Sequence, residues 1–302
     1  MPRRIKDYLI ILSAGVCLST SVLAVQTEPE HFTLLSRAGA VQLDTQLDKT
    51  QRQWLQNKRE LVLGTAAPDY PPFDLTSSGR DYEGLTADYA GLLAKALALP
   101  VRVLRYPNRE ASIQALEAGE IDLLGSSNGF EAANPLLTLS APYAVDQPVL
   151  VTREGETRSL SDGLAGLRLS LVYHYLPLGE VEKLYPEAMI RAYPSYQNAL
   201  NAVAFDQADV FLGDTISTHY MINKGYLKNI RMANFGKHEA YGFSFAVRQD
   251  QHTLLSILNA VLAAVPTNEQ DSIAKRWSAG SDILLTAQKL QLTQREERWL
   301  KA

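Results

Sequence analysis

Apolar positions along the chain follow two rhythms, short continuous or alternating runs and longer stripes at helical spacing. Leu61-Val62-Leu63 is a short apolar run that reads as a buried strand. It ends in Gly64–Phe73, where Pro68, Pro71 and Pro72 fix their own φ and restrict the residues before them, so Tyr70 and Phe73 sit on a stiff loop. Leu85, Tyr89, Leu92, Leu93, Ala96 and Leu97 recur at spacings of 4, 3, 1, 3 and 1, which predicts a helix with one buried stripe. Val101–Arg105 alternates as a strand, Asn108 caps a helix through Ala118, and Ile121–Gly125 is the next buried strand. The theme returns with strands at Leu167–Val172, Met189–Tyr193 and Asp209–Gly213 and helices at Leu178–Leu184 and Tyr196–Phe205. Strand and helix in alternation imply parallel sheets with ligands at their carboxyl edges, here in two α/β lobes. Gln147–Arg153 and Tyr241–Arg248 are extended apolar segments that read as two crossings of a hinge. Helices over 252–264 and 267–277 then belong to the first lobe, which gives lobes of about 61–146 with 241–280 and about 151–236.

Residues 25–60 form a polar lead-in that begins as a loose segment. It ends in a helix whose Leu47, Gln51, Trp54 and Leu55 share a face. Residues 1–24 differ from the rest. Arg3, Arg4 and Lys6 precede a mostly apolar Leu9–Leu23, and Val22-Leu23-Ala24 forms a cleavage box, which is a secretory signal peptide pattern rather than a membrane anchor. Export to the periplasm with cleavage after Ala24 is the expectation. The single cysteine, Cys17, lies inside this stretch behind Val16, where a lipoprotein signal wants a small residue, so the mature chain relies on core burial rather than disulfides. The 302 residues are 46% hydrophobic and 21% charged, ordinary for a globular protein with proper cores. Cleavage removes three of 29 basic and one of 33 acidic residues and leaves a formal charge of −6, which argues against a nucleic-acid partner.

An ordered set of motifs carries a resemblance: Asp69-Tyr70-Pro71-Pro72-Phe73, Gly84-Leu85-Thr86-Ala87-Asp88, Gly119-Glu120-Ile121-Asp122, Ser140-Ala141-Pro142-Tyr143 and Ala208–Asp214. Over residues 61–280 the chain resembles the type II periplasmic solute-binding proteins, extracellular solute-binding family 3. The resemblance implies an α/β fold of two lobes with a two-strand hinge, a Venus flytrap that closes on a small ligand. The lead-in with Trp54-Leu55 looks more like the sensory modules of Bvg/Evg-type hybrid sensor histidine kinases than like free transport receptors. That implies a sensing domain of a two-component system, with the receptor of an ABC transporter as the alternative. Partners implied are a small-molecule ligand and, beyond this chain, a second flytrap module, a sensor kinase or a transporter permease. Amino-acid-binding members carry an arginine seven residues before the serine of Ser-x-Pro-Tyr, where this chain has Ala133, so α-amino-acid binding is not expected unless Arg80 or Arg109 folds inward.

Candidate ligand-binding residues are Tyr70, Phe73, Asp88, Ser126, Ser127, Asn128, Tyr143, Tyr173, Tyr175 and Asp214, on loops, strand ends and motif positions that face the hinge. In the family the position of Asp214 contacts a ligand amino group, and as a sequence feature it equally caps the helix that starts at Thr215. Tyr173-His174-Tyr175 stands where a helix start can hold an anion, or where bulky rings fill the cleft. Gly125-Ser126-Ser127-Asn128-Gly129 matches the nucleophile-elbow pattern, with Asp214 and His238 following in hydrolase order. Pro135 interrupts the helix an elbow needs and no Gly-rich oxyanion loop precedes it, so a serine hydrolase at Ser127 is a remote alternative and no enzyme is expected. The five histidines show no metal-ligand spacing, and neither metal nor cofactor is expected.

Leu47, Trp54 and Leu55 recur as Leu292, Trp299 and Leu300 at one common offset of 245 residues. Such an echo is what a second module beginning in 281–302 would produce, and the segment is otherwise a tail.

Overall fold

The computed structural model describes residues 28–76, 79–224 and 227–278. The signal-peptide reading of 1–24 and the echo in 281–302 lie outside the described residues. The first lobe begins with β1 (Glu30–Leu34), α1 (Lys49–Asn57), β2 (Leu61–Ala66), β3 (Asp81–Tyr82), α2 (Leu85–Leu97) and β4 (Val101–Tyr106). It continues with α3 (Arg109–Glu117), β5 (Leu123–Ser127), α4 (Gly129–Ala132), β6 (Leu137–Leu139) and β7 (Ala144–Val145). The second lobe holds β8 (Pro148–Arg153), β9 (Arg168–Val172), α5 (Leu178–Leu184), β10 (Met189–Tyr193), α6 (Tyr196–Ala204), β11 (Val210–Asp214), α7 (Thr215–Asn223) and β12 (Ile230–Phe235). The chain then returns through β13 (Gly242–Arg248), α8 (His252–Ala264) and α9 (Thr267–Trp277) to the first lobe.

Each lobe is built on one sheet. The first runs β3-β1-β4-β2-β5-β13-β6 with β7 also on β13, and the second runs β10-β9-β11-β8-β12. The pairs β2–β4, β2–β5, β9–β10 and β9–β11 are parallel, as alternation predicts. Both sheets are mixed all the same, because the strands at the crossings enter from the other lobe and run antiparallel to their neighbours: β13 on β5, and β8 on β11. The crossings therefore fall at 146–147 and 236–241, and the segments expected as hinge strands are sheet members, β8 in the second lobe and β13 in the first.

Local chemistry sets the helix starts. Asp48 and Gln51 form a reciprocal capping box on α1, and the side chains of Asn108, Ser195 and Asp214 accept from backbone N–H groups of α3, α6 and α7. Gly84 at the start of α2 has φ +127°, and a Cβ there would stand 2.2 Å from the Phe73 carbonyl oxygen, so only glycine lets the loop of Tyr70–Phe73 lie against the first turn.

The described part of the lead-in, residues 28–60, is less separate than expected. β1 pairs antiparallel with β4 and parallel with β3, so the supposedly loose segment extends the first lobe's sheet. Only Phe32 of its five residues is buried, too few apolar positions for a periodic signal. The predicted face of α1 does pack on the core through Trp54 and Leu55 beside Leu47, and Gln51 donates to the Ser256 hydroxyl of α8 at 3.0 Å.

Candidate functional site

The carboxyl ends of β2 and β5 face those of β9 and β11 across the junction of the lobes, and the stiff loop after β2 carries Tyr70 into it. A tight turn, Phe73 N–H to Tyr70 C=O at 2.8 Å, fixes the loop. The Tyr70 hydroxyl donates to Asp214 Oδ2 of the second lobe at 2.9 Å, both residues being buried. Around it pack the rings of Tyr196 (5.3 Å), His174 (5.4 Å), Phe73 (5.8 Å) and Phe243 (6.1 Å), two from each lobe. Asp214 Oδ1 accepts from Ser217 N–H at 2.7 Å, so one oxygen caps α7 while the other meets Tyr70 across the cleft.

A second set of groups spans the hinge. Tyr175 donates to Asp146 Oδ1 at 2.7 Å and meets His238 Nε2 at 3.3 Å, which joins the strand end after β9 to both crossing segments. Asp146 Oδ2 and His238 Nδ1 are buried without a partner among the described residues. A third link closes the lip: the Tyr173 hydroxyl donates to Glu110 at 2.6 Å and accepts Arg109 N–H at 3.1 Å.

Beneath these links lies the polar wall of the first lobe. Asp74 accepts the hydroxyls of Tyr82 and Ser126, each at 2.5 Å, and Thr86 Oγ1 lies 3.0 Å from the Ser126 hydroxyl and 2.8 Å from that of Tyr143. Arg109 bonds Glu131 at 2.7 Å, the Gly125 carbonyl at 3.0 Å and the Ser127 hydroxyl at 3.1 Å. Asn128 caps α4, with Glu131 returning to its backbone N–H.

Burial governs the electrostatics. It raises Asp214 to about 6 and lifts Asp146 well above the usual carboxylate range, where the charge of Asp214 adds to the effect. Burial likewise holds His174 down to about 3, with Arg109 contributing, and His238 to about 4. Arg109 keeps its charge because Glu131, followed by Asp74, offsets its desolvation.

Tyr70, Phe73, Tyr175 and Asp214 thus meet between the lobes, Tyr173 bridges the lip, and Ser126, Ser127, Asn128 and Tyr143 form the wall behind. Asp88 is not among the residues brought together. Its carboxylate accepts from Arg37 N–H, Arg276 and Trp277, and the α2 residue that reaches the wall is Thr86, two positions earlier. Asp74, Asp146, Glu131 and Tyr196 escaped sequence reasoning. Arg109 does fold inward, but onto Glu131, and Arg80 bonds the backbone of His31 instead. The elbow pattern does not act as one. Ser127 donates to the Leu124 carbonyl and accepts from Arg109, α4 is only four residues long, and His238 engages Tyr175.

The profile of bacterial extracellular solute-binding proteins, family 3, matches residues 61–280. The chain belongs to this family. It is 41% identical to the virulence sensor protein BvgS of Bordetella parapertussis over 301 residues, 99% of this chain and 24% of BvgS. To the sensor protein EvgS of Escherichia coli O157:H7 it is 24% identical over 299 residues, 97% of this chain and 25% of EvgS. The crystal structure of the Bordetella pertussis BvgS periplasmic domain superposes with a TM-score of 0.73 at 42% identity, covering 83% of this chain and 49% of that one. The chain therefore spans about a quarter of the curated sensors it matches, and that part is a solute-binding flytrap, a non-catalytic module homologous to periplasmic sensor domains. Among the described residues no helix is long and apolar enough to cross a membrane.

The ion pair in the wall gives a direct test. Glu131→Gln leaves the buried Arg109 without its counter-charge, and the expected cost is about 3–5 kcal/mol. Replacing both, Arg109→Met with Glu131→Leu, should cost clearly less than Glu131→Gln alone, as urea unfolding will report.

Proposed function

We propose that this chain is the exported sensory module of a two-component system, and that its lobes rest closed on one another through the protein's own side chains. The observation that carries this reading is the Tyr70–Asp214 hydrogen bond between the lobes, surrounded by four rings. In a receptor that shuttles solute, that space belongs to the cargo. Here Tyr70 occupies the carboxylate of Asp214, and Glu131 occupies the guanidinium of Arg109. The basic, apolar and small-residue order of residues 1–24 supports export. The similarity to BvgS and EvgS supports sensing, and coverage of 49% of the BvgS periplasmic chain supports a second module beside this one.

A thermal screen of metabolites tests the reading. A ligand at 100 times its dissociation constant stabilises the native state by about 2.7 kcal/mol, a readable shift in melting. Most small polar metabolites, common amino acids included, should leave the melt unchanged. A ligand that enters must first displace Tyr70, so its apparent affinity is reduced by the fraction of open protein. Standard α-amino acids meet the further obstacle of Ala133 and should bind no tighter than about millimolar in calorimetry, since the missing charged hydrogen bond is worth about 1.5–3 kcal/mol. Micromolar binding of any of them would favour the transport receptor.

A further inference from the structure

Asp88 lies wholly buried in the first turn of α2, and its partners come from both ends of the described chain. Oδ1 accepts Arg37 N–H at 2.6 Å, while Oδ2 accepts from Arg276 at 2.7 Å and from the Trp277 indole at 2.8 Å. Arg37 then lies over the Trp277 ring at 5.7 Å and pairs with Glu83 at 2.5 Å, next to the glycine that starts α2. Other contacts run alongside. Gly39 N–H donates to Glu269 of α9 at 2.8 Å, and Ser36 comes so close to Gly91 that a Cβ there would stand 2.1 Å from its hydroxyl oxygen. One carboxylate thus ties the segment entering the module, and the helix leaving it, to the same helix of the first lobe.

The cleft end of this helix is equally constrained. Leu85 and Thr86 donate their backbone N–H groups to Pro72 and Phe73 of the Tyr70 loop at 3.0 and 3.2 Å, and Tyr89 stacks on Tyr143 at 5.0 Å. Within one turn, then, α2 contacts the loop that holds the second lobe closed and the carboxylate that holds the chain's exit.

We propose that Asp88 is the positioning residue through which the state of the cleft is passed to the exit of the module at α9. Resting on the sensory reading, this assigns the route by which that reading's closed cleft is reported. A change at the Tyr70 loop reaches Arg276 and Trp277 through the first turn of α2.

The test is a double-mutant cycle on the full chain, read by amide hydrogen exchange in α9 and by X-ray scattering. Asp88→Asn keeps the shape and removes the charge that holds Arg276, so α9 should exchange on the order of tenfold faster, the size of one charge-assisted hydrogen bond, with the cleft still closed. Tyr70→Phe should open the cleft and change α9 exchange when Asp88 is present, and should change it little further in the Asp88→Asn background. Equal effects of Tyr70→Phe in both backgrounds, or none in either while the cleft opens, overturn the proposal. If scattering shows the cleft still closed in Tyr70→Phe, the closed-cleft reading fails instead, and Asp88→Asn alone decides, because unchanged α9 exchange then overturns the anchor.

Discussion

Tyr70→Phe should open the two lobes. The substitution keeps the ring contacts with Tyr196, Phe73 and Phe243 and deletes only the hydroxyl that bonds Asp214 across the cleft. With Asp214 titrating at about 6, that hydroxyl serves a carboxylate that is mostly charged at pH 7. A hydrogen bond to a buried charge is worth about 1.5–3 kcal/mol, so the ratio of closed to open protein should fall by roughly 10- to 150-fold. Scattering should report a larger radius of gyration, while far-UV circular dichroism stays unchanged because each lobe keeps its own sheet. An unchanged radius together with unchanged stability would mean that this bond does not hold the cleft.

The second large effect is pH dependence, and its sign differs between groups. Asp146 and Asp214 have pKa values raised on burial, so the closed form holds protons that an open, solvated form releases, and closure weakens as pH rises through those values. His174 and His238 are depressed, to about 3 and about 4, so below the ordinary histidine range the open form gains protons that the closed form refuses. Below about pH 6.5 the acids and the histidines therefore oppose one another and the profile should be shallow. Above that point the histidines are neutral in both forms, and what pH dependence remains comes from the raised acids, Asp146 and Asp214. The closed-to-open ratio should then fall about tenfold for each pH unit over which the closed form keeps one extra proton. The remaining titratable neighbours, Tyr70, Tyr175 and Tyr196, are pushed up by burial and stay neutral through this window. Asp146→Asn, which imitates the protonated acid, should weaken the loss of closure with rising pH and flatten this limb of the profile. Opening that is just as steep in the Asp146→Asn protein would remove Asp146 from the account.

Much of this arrangement was legible in the sequence because it depends on strong local signals. Helices α5, α8 and α9 and strand β10 keep their predicted bounds, since each is framed by proline, a cap or a clear periodicity. Tyr70 and Phe73 stood out through the prolines that stiffen their loop, and Asp214 through its place at a strand end before a helix. Asp88 was misread because a motif position does not say which side of a helix it faces. Two residues along an α-helix turn the side chain by about 200°, so when Thr86 faces the wall, Asp88 faces the exit. Asp146 carries no sequence signal. Its partner Tyr175 lies 29 positions along the chain, and His238, which meets Tyr175 rather than Asp146, comes 63 positions after that, on the return of the chain at the hinge. β12 was missed because its alternation breaks at the irregularity between Met232 and Asn234.

The claim that the protein's own side chains close the cleft is tested most directly by a distance across it. Spin labels at Gln114→Cys on α3 and Glu182→Cys on α5, both exposed positions, with Cys17→Ser, place one reporter on each lobe. The protein should be unfolded, dialysed and refolded so that any carried-over ligand is removed. Electron–electron double resonance should then give one short, narrow distance that a metabolite mixture does not shorten and that lengthens in Tyr70→Phe. A broad, long distance in the refolded protein that collapses to the short one when metabolites are added would contradict the account.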